Sequence, residues 1–489
     1  MKQIQDWINK CIKTLLEPVS TQWLGIFRIS FFGYLLVMWY YHFEYRELLT
    51  GNFGKYTYSP DAINYLLMVW LVSLLGIIVG LFTRVFSIIN YLCAVLICDL
   101  SKQNGIASYF DNMIITASLL AIFTPISHSL SIDKKLFKLN STTTNITYIT
   151  WIVCTLGLMY TASGISKLLS IAWLKGLGIW LPLSLPHSSW NKIPEYIVDF
   201  KLLLMSFNYI IILWEVLFLI LIGWHKTRKI AIMIGMLLHL SIAILFYLPK
   251  TAIGMLTFYL LFGPYFSKNV LSNKLDISIL SKKYIFIMSV ITIMYSGVQG
   301  YISINYMRAK IKSGFSHTQN YRTKKNAGIK LSFYSISNSL LGINARNLFT
   351  DNSLYSTHNI IAISTVTPNS EYWLPWVNKK GEMSSDFKTK AGWSKIMQKQ
   401  LWDEVKDNTN EALYIPSKKG IEHALRYWIQ KNDIEDSLIY FNIYIRNYVV
   451  PQKYEHGLLF KQKEMPWQLL GHASYTNGNF FINIAHNQK

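Results

Sequence analysis

Three polar side chains that can do acid–base chemistry share the stretch MYTASGISKLL: Tyr160, Ser163 and Lys167, in a run that is otherwise apolar. A lysine is a base only when neutral, and apolar surroundings disfavour its charged form. A lysine at a membrane boundary also has a plainer use, snorkelling its ammonium to the surface. His239, in GMLLHLSIAILF, is the second candidate. It reads either as a hydrogen-bonded core residue or as an acid–base catalyst. Arg28, in GIFRISFFGYLL, and Glu215, in IIILWEVLFLIL, put opposite charges into apolar helices. Each would cost roughly 2.5–3.5 kcal/mol alone at the bilayer centre, which predicts that they pair with each other as a structural ion pair inside the bundle.

The elements that must position these groups are membrane helices. Of 489 residues, 52% are hydrophobic and 15% charged, where soluble domains carry about 25% charged. The apolar surplus falls in long uncharged runs between Trp23 and Ile302. Nine runs approach the ~20 residues needed to span a bilayer: 22–41, 63–82, 85–99, 112–127, 147–165, 203–224, 229–248, 251–266 and 284–303. The alternate loops that include the N-terminus hold 14 Lys and Arg, the other set 8. Basic residues are retained in the cytoplasm. The N-terminus is therefore expected inside and the C-terminal part outside, which also makes the sequons at Asn140 and Asn145 cytoplasmic. The net charge of +21 follows this loop pattern, so a nucleic-acid partner is rejected.

The fold expected is a polytopic α-helical membrane protein with a C-terminal soluble α+β domain. Residues 1–21 read as an interfacial amphipathic helix, with Ile4, Trp7, Ile8, Cys11, Ile12 and Leu15 on one face. Residues 22–303 are the membrane domain and 304–489 the outer domain. In the latter, 359–367, 438–447 and 476–486 read as strands, and 391–407 and 420–431 as helices. Within the helix at 391–407, Trp393, Ile396, Met397 and Trp402 are candidate apolar contacts. Cys93 and Cys98 read as small buried hydrophobes, and no metal site is expected.

SGISKLLSIAWLKG (Ser163–Gly176) resembles the vitamin K-dependent gamma-glutamyl carboxylases, through Gly164, Lys167, Trp173 and Gly176. Further pieces follow in the family's order: Phe27–Arg28, Ser108–Tyr109, Ser131–Asp133, Glu215, His239 with Ile253–Gly254, and the strand Ile439–Asn447. The ordered set is similar to the horizontally transferred transmembrane (HTTM) superfamily, which also holds bacterial proteins with no known carboxylation. One departure stands: Ile106–Ala107 occupy the place of an Asn-His pair that serves the quinone and the carboxylation site in the animal enzyme.

The resemblance implies a lyase-type activity. Lys167 would be the base and His239 a second catalytic group, with Tyr160, Ser163 and Trp173 around a reduced naphthoquinone of the vitamin K or menaquinol type. Oxygen and carbon dioxide would be co-substrates, and glutamate of an exported peptide or protein would be carboxylated. The other reading is a non-enzymatic maturation, immunity or scaffold protein on the same helices.

Overall fold

The computed structural model describes residues 18–44, 46, 59–103, 109–139, 143–145, 147–188, 195–246, 248–266, 279–312, 328–343, 358–367, 370–383, 398, 401–406, 412–434, 438–448 and 450–484. The expected amphipathic helix at 4–16, Asn140, Ile106–Ala107 and Ser108 lie outside these residues.

The helices are α1 (Gln22–Glu44), α2 (Pro60–Val79), α3 (Thr83–Gln103), α4 (Tyr109–Phe123), α5 (Ile132–Leu136), α6 (Thr147–Leu168), α7 (Ile171–Leu174), α8 (Trp180–Leu183), α9 (Glu195–Asp199), α10 (Lys201–Gly223), α11 (Arg228–Leu245), α12 (Pro249–Tyr259), α13 (Ile279–Lys312), α14 (Gly328–Leu341), α15 (Lys418–Lys431) and α16 (Leu458–Glu464). The strands are β1 (Pro18–Ser20), β2 (Thr143–Asn145), β3 (His358–Thr367), β4 (Ser370–Trp373), β5 (Trp402–Lys406), β6 (Ala412–Pro416), β7 (Ile439–Tyr448), β8 (Gln468–Thr476) and β9 (Asn479–Ile484).

Among the described residues, six helices are long and apolar enough to cross a membrane: α1, α2, α3, α10, α11 and the stretch Phe286–Arg308 of α13. The chain is on that ground a multi-pass membrane protein. The other three expected spans, 112–127, 147–165 and 251–266, are helical too, as α4, α6 and α12 with a 3-10 turn at Leu260–Tyr265. They pack into the same core, where Phe27 and Phe31 of α1 meet Phe258 of α12, and Phe31 also meets Phe110 of α4.

Arg28 does not meet Glu215, contrary to the pairing expected from opposite charges. It lies early in α1, fully buried at one end of the bundle. Its guanidinium donates to the carbonyls of Ile77 (2.5 Å) and Ile78 (3.0 Å), which end α2, and to Leu130 (2.5 Å) and Ser129 (3.4 Å) in the loop before α5. A helix end leaves its last carbonyls without partners. Arginine, with five donors in a fixed fork, supplies several at once.

The expected boundary at 303 falls inside α13. The next helix, α14, returns to the bundle and packs on α3 and α4. It ends among membrane helices: Tyr91 donates to the Leu340 carbonyl (2.7 Å), Thr116 to Leu341 (3.0 Å) and Lys102 to Asn338 (3.5 Å). Non-helical backbone at that depth is tolerated only where protein buries it and satisfies its polar groups. Gly342 closes the helix at φ +67°, and a Cβ there would lie 2.0 Å from the Asn112 carbonyl oxygen, so only glycine fits. Ile343 then packs fully buried with Tyr295 and Ile302 of α13.

The C-terminal part is built on one antiparallel sheet in the order β4-β3-β7-β8-β9, with β3 and β7 paired from His358–Tyr448 to Val366–Tyr440. The strands expected at 359–367 and 438–447 are its two central ones. α15, capped by Ser417, covers the sheet with Ile421, Ala424 and Leu425. On β4, Glu371 accepts from Ser364 (2.5 Å) and Tyr444 (2.7 Å), and these bonds hold its carboxyl below the usual range. The helix expected at 391–407 is corrected at its end: Gln398 is helical, but 402–406 is strand β5, paired with β6. Trp393, Ile396 and Met397 lie outside the described residues.

The sheet domain rests on the bundle end opposite Arg28. Tyr41 of α1 and Leu185 after α8 pack with its core. Tyr454 donates to the Asp199 carbonyl (2.5 Å), Lys463 bridges Glu195 (3.6 Å) and Glu382 (3.1 Å), and Lys431 faces Glu44 (3.7 Å).

Arg28→Leu should destabilise the protein by roughly 2–4 kcal/mol, since several carbonyls lose a charged donor. Its effect should add to that of Glu215→Leu, because the two share no contact. Unfolding in mixed micelles measures both, and a coupling above about 1 kcal/mol would restore the expected pair. Gly342→Ala should cost at least ~1–2 kcal/mol from the left-handed backbone alone. It should speed hydrogen exchange in 328–343 while leaving β3 and β7 unchanged.

Candidate functional site

α6 and α10 run antiparallel and come unusually close. A Cβ on Gly164 would meet the Val216 backbone nitrogen at 2.8 Å and the Glu215 Cβ at 3.0 Å. Small residues permit such an approach between membrane helices. It brings Lys167 within reach of Glu215. The Lys167 Nζ donates to Glu215 Oε2 at 2.5 Å and to Ser163 Oγ, one turn back on α6, at 2.7 Å. The ammonium also stands 5.1 Å from the centre of the Trp173 ring, a cation–π contact.

Lys167, one residue before the end of α6, is thus buried and paired, not extended to the surface. Glu215 lies fourteen residues, about 21 Å, into α10. Lys167 is level with it and only 5% exposed. α6 ends at Leu168, so the first half of α10 needs another neighbour. The broken segment with α7 and α8 provides it, buried almost throughout from Ser170 to Leu185. Asn208 of α10 satisfies that segment's backbone twice, accepting from the Gly178 N–H (3.0 Å) and donating to the Trp173 carbonyl (2.9 Å).

Tyr160 and His239 form a second group. The Tyr160 hydroxyl bonds His239 Nε2 at 2.6 Å and the Tyr259 hydroxyl at 2.9 Å. The chain can run in either direction, Tyr259 to Tyr160 to imidazole or the reverse, since a hydroxyl both donates and accepts. His239 Nδ1 is buried with no partner among the described residues. Tyr160 precedes Lys167 by two helical turns, and Trp214 packs edge-on against it at 4.9 Å. Neither Tyr160 nor His239 hydrogen-bonds Lys167, although both were expected as its neighbours. Lys167, Ser163, Glu215 and Trp173 come together, Tyr160 and His239 come together with Tyr259, and Arg28 stands apart.

A further buried ion pair escaped the sequence reading. Lys250, at the start of α12, binds Asp111 of α4 at 2.8 Å, and its carbonyl accepts from Tyr34 at 2.7 Å. Cys98 donates to the Asp111 carbonyl at 3.6 Å. Both charges flank apolar runs and so read as loop residues. The available signal was that each begins a helix too short to span the membrane alone.

The Lys167 environment combines acid–base groups with an aromatic face. It offers an amine, a hydroxyl and a carboxylate beside the indole wall of Trp173. Neither a cavity of about 10 Å³ lined by Trp151, Thr155 and Phe258 nor one of about 330 Å³ beside Arg84 includes Lys167.

Lys167→Met or Glu215→Leu alone should cost ~3–5 kcal/mol, because a lone buried charge remains, whereas the double change should cost much less. Equal losses in single and double variants, read from unfolding in micelles, would show that the two do not act as a pair. Comparison with protein-family models, with curated proteins and with solved structures finds no match to this chain.

Proposed function

We propose that this chain is a nine-pass membrane enzyme resembling the vitamin K-dependent carboxylases. Lys167 would take a proton from a reduced naphthoquinone, and glutamate of an exported peptide or protein would be carboxylated. The observation that carries this reading is the burial of Lys167 on Glu215 and Ser163 beside Trp173. A snorkelling lysine would be exposed at the boundary; this one is not.

The paired state suits a base. Transfer of one proton from ammonium to carboxylate leaves both groups neutral and changes no net charge, so the amine becomes free without exposing a bare charge. Ser163 holds the amine's direction, and Trp173 forms the wall against which a flat ring would lie. The Tyr259–Tyr160–His239 chain lies two turns back along α6 and makes no hydrogen bond to Lys167. Bound at this wall, the reduced naphthoquinone with oxygen would supply the stronger base needed to remove a glutamate gamma proton. Trp173 shares an apolar cluster with Leu458 and Leu459 of α16, so the sheet domain is packed directly onto the site's wall. On that basis the sheet domain is where an exported peptide would dock.

One observation favours the non-enzymatic reading: the ion pair satisfies both buried charges completely enough to be a lock between α6 and α10. Substitution separates the two readings. General acid–base groups contribute roughly 10²–10⁴-fold. In nanodiscs, oxygen-dependent consumption of the reduced naphthoquinone should fall by that factor in Lys167→Ala and also in Lys167→Arg, since guanidinium stays protonated. Labelled carbon dioxide should enter glutamate of co-expressed secreted proteins only with wild-type protein. Full activity of the arginine variant would make Lys167 a lock.

The orientation proposed is N-terminus cytoplasmic and sheet domain outside, from the loop bias of 14 to 8 basic residues. A reporter fused after Lys489 that is active only in the cytoplasm should stay silent; a strong signal would invert the topology.

A further inference from the structure

A cleft of about 330 Å³ opens at the Arg28 end of the bundle, between the start of α3, the end of α4 and α5. Thr83, Arg84, Thr124, Ser127, His128 and Asp133 supply its polar lining. The one carboxylate there is already engaged. Asp133 accepts from the Phe82 and Thr83 N–H groups (2.7 and 2.8 Å) and from the Thr83 hydroxyl (2.6 Å), capping α3. Arg28 lies within Coulombic range of it as well.

Arg84 makes no ion pair or side-chain hydrogen bond with another described residue, and it is exposed on the cleft. His128 stands close enough to Arg84 and Lys134 that, after burial, their charges push its imidazole below the ordinary range. Arg84 thus brings a cation, and His128 an imidazole, to a space whose described carboxylate is already engaged, while the Thr83 and Thr124 hydroxyls donate to Asp133 and the Leu120 carbonyl. Its outer lip is apolar and exposed, formed by Phe82, Val85 and Phe137.

We propose that this cleft binds the phosphate headgroup of an anionic phospholipid, with Arg84 and His128 on the phosphate and the acyl chains leaving over Phe82 and Phe137. Arginine recognises phosphate through parallel N–H donors, and basic pockets at membrane level bind anionic headgroups. The apolar lip selects a lipid over free phosphate. The exposed basic groups Lys135 and Lys138, on the same end, fit a leaflet with negative surface potential.

Native mass spectrometry of the full chain in detergent, titrated with phosphatidylglycerol, phosphatidylcholine or inorganic phosphate, tests this. One phosphatidylglycerol should be retained at least about tenfold more tightly than phosphatidylcholine. Arg84→Ala with His128→Ala should remove that preference, while Lys135→Ala, outside the cleft, keeps it. Arg84→Gln alone should give most of the loss, and it serves if the double variant folds poorly; an unchanged unfolding temperature without lipid shows that the fold is retained. Equal retention of the two lipids, an equal loss in Lys135→Ala, or displacement by millimolar inorganic phosphate would each overturn the lipid assignment.

Discussion

A buried ammonium needs a counter-charge, and much of the membrane domain is arranged around meeting that need. For Lys167 to reach Glu215, α6 and α10 must approach to the distance that Gly164 allows. For Lys167 to lie level with the interior of α10, α6 must stop at Leu168, short of the bundle end. That leaves the first half of α10 without a neighbour. The broken α7–α8 segment fills the place, and its backbone is affordable there only because Asn208 takes one of its N–H groups and supplies one of its carbonyls. Trp173, set by the same segment, then faces the ammonium. The ion pair, the glycine contact, the short helix and the asparagine clamp are one linked solution.

The two bundle ends differ in kind. At the end beneath the sheet domain, chain enters the bundle twice without crossing it, through α7–α8 and through α14. Side-chain donors from neighbouring helices satisfy both: Asn208 in the first case, Tyr91, Thr116 and Lys102 in the second. At the Arg28 end, loops turn tightly and are tied by one arginine to four carbonyls and by one aspartate to a helix start. Irregular backbone gathers where a site can be built, and the opposite end is fastened.

Hydropathy made the long helices legible, because a 20-residue apolar run has few other uses. The central strands were legible from β-branched and aromatic content, as in Ile439–Asn447. What pairs with what was not. Arg28, Lys167 and Lys250 are three cations for three buried carboxylates in the bundle, Asp111, Asp133 and Glu215, and only the packing of distant segments decides between them. Arg28, six residues into α1, and Glu215, eight residues before the end of α10, lie at similar depth; what separates them is that Arg28 turns to the carbonyls of Ile77, Ile78, Ser129 and Leu130. α14 was hidden because its serines and its position after the last long span read as part of a soluble domain. β5 was hidden because Trp402–Lys406 becomes a strand only through its partner Ala412–Pro416. In each case the deciding partner is distant in sequence.

The two buried cations are given different kinds of partner. Arg28 is given carbonyls, which only accept, and guanidinium stays protonated, so its bonds are a fixed tie. Lys167 is given a carboxylate and a hydroxyl, and it is set against an indole ring rather than sealed in by carbonyls. Exchanging the two residues would fail on both counts. A lysine has too few donors for the four carbonyls around Arg28, and an arginine beside Glu215 could never present a neutral nitrogen. The bundle places its arginine where the loops need fastening and its lysine beside the segment on which the sheet domain rests.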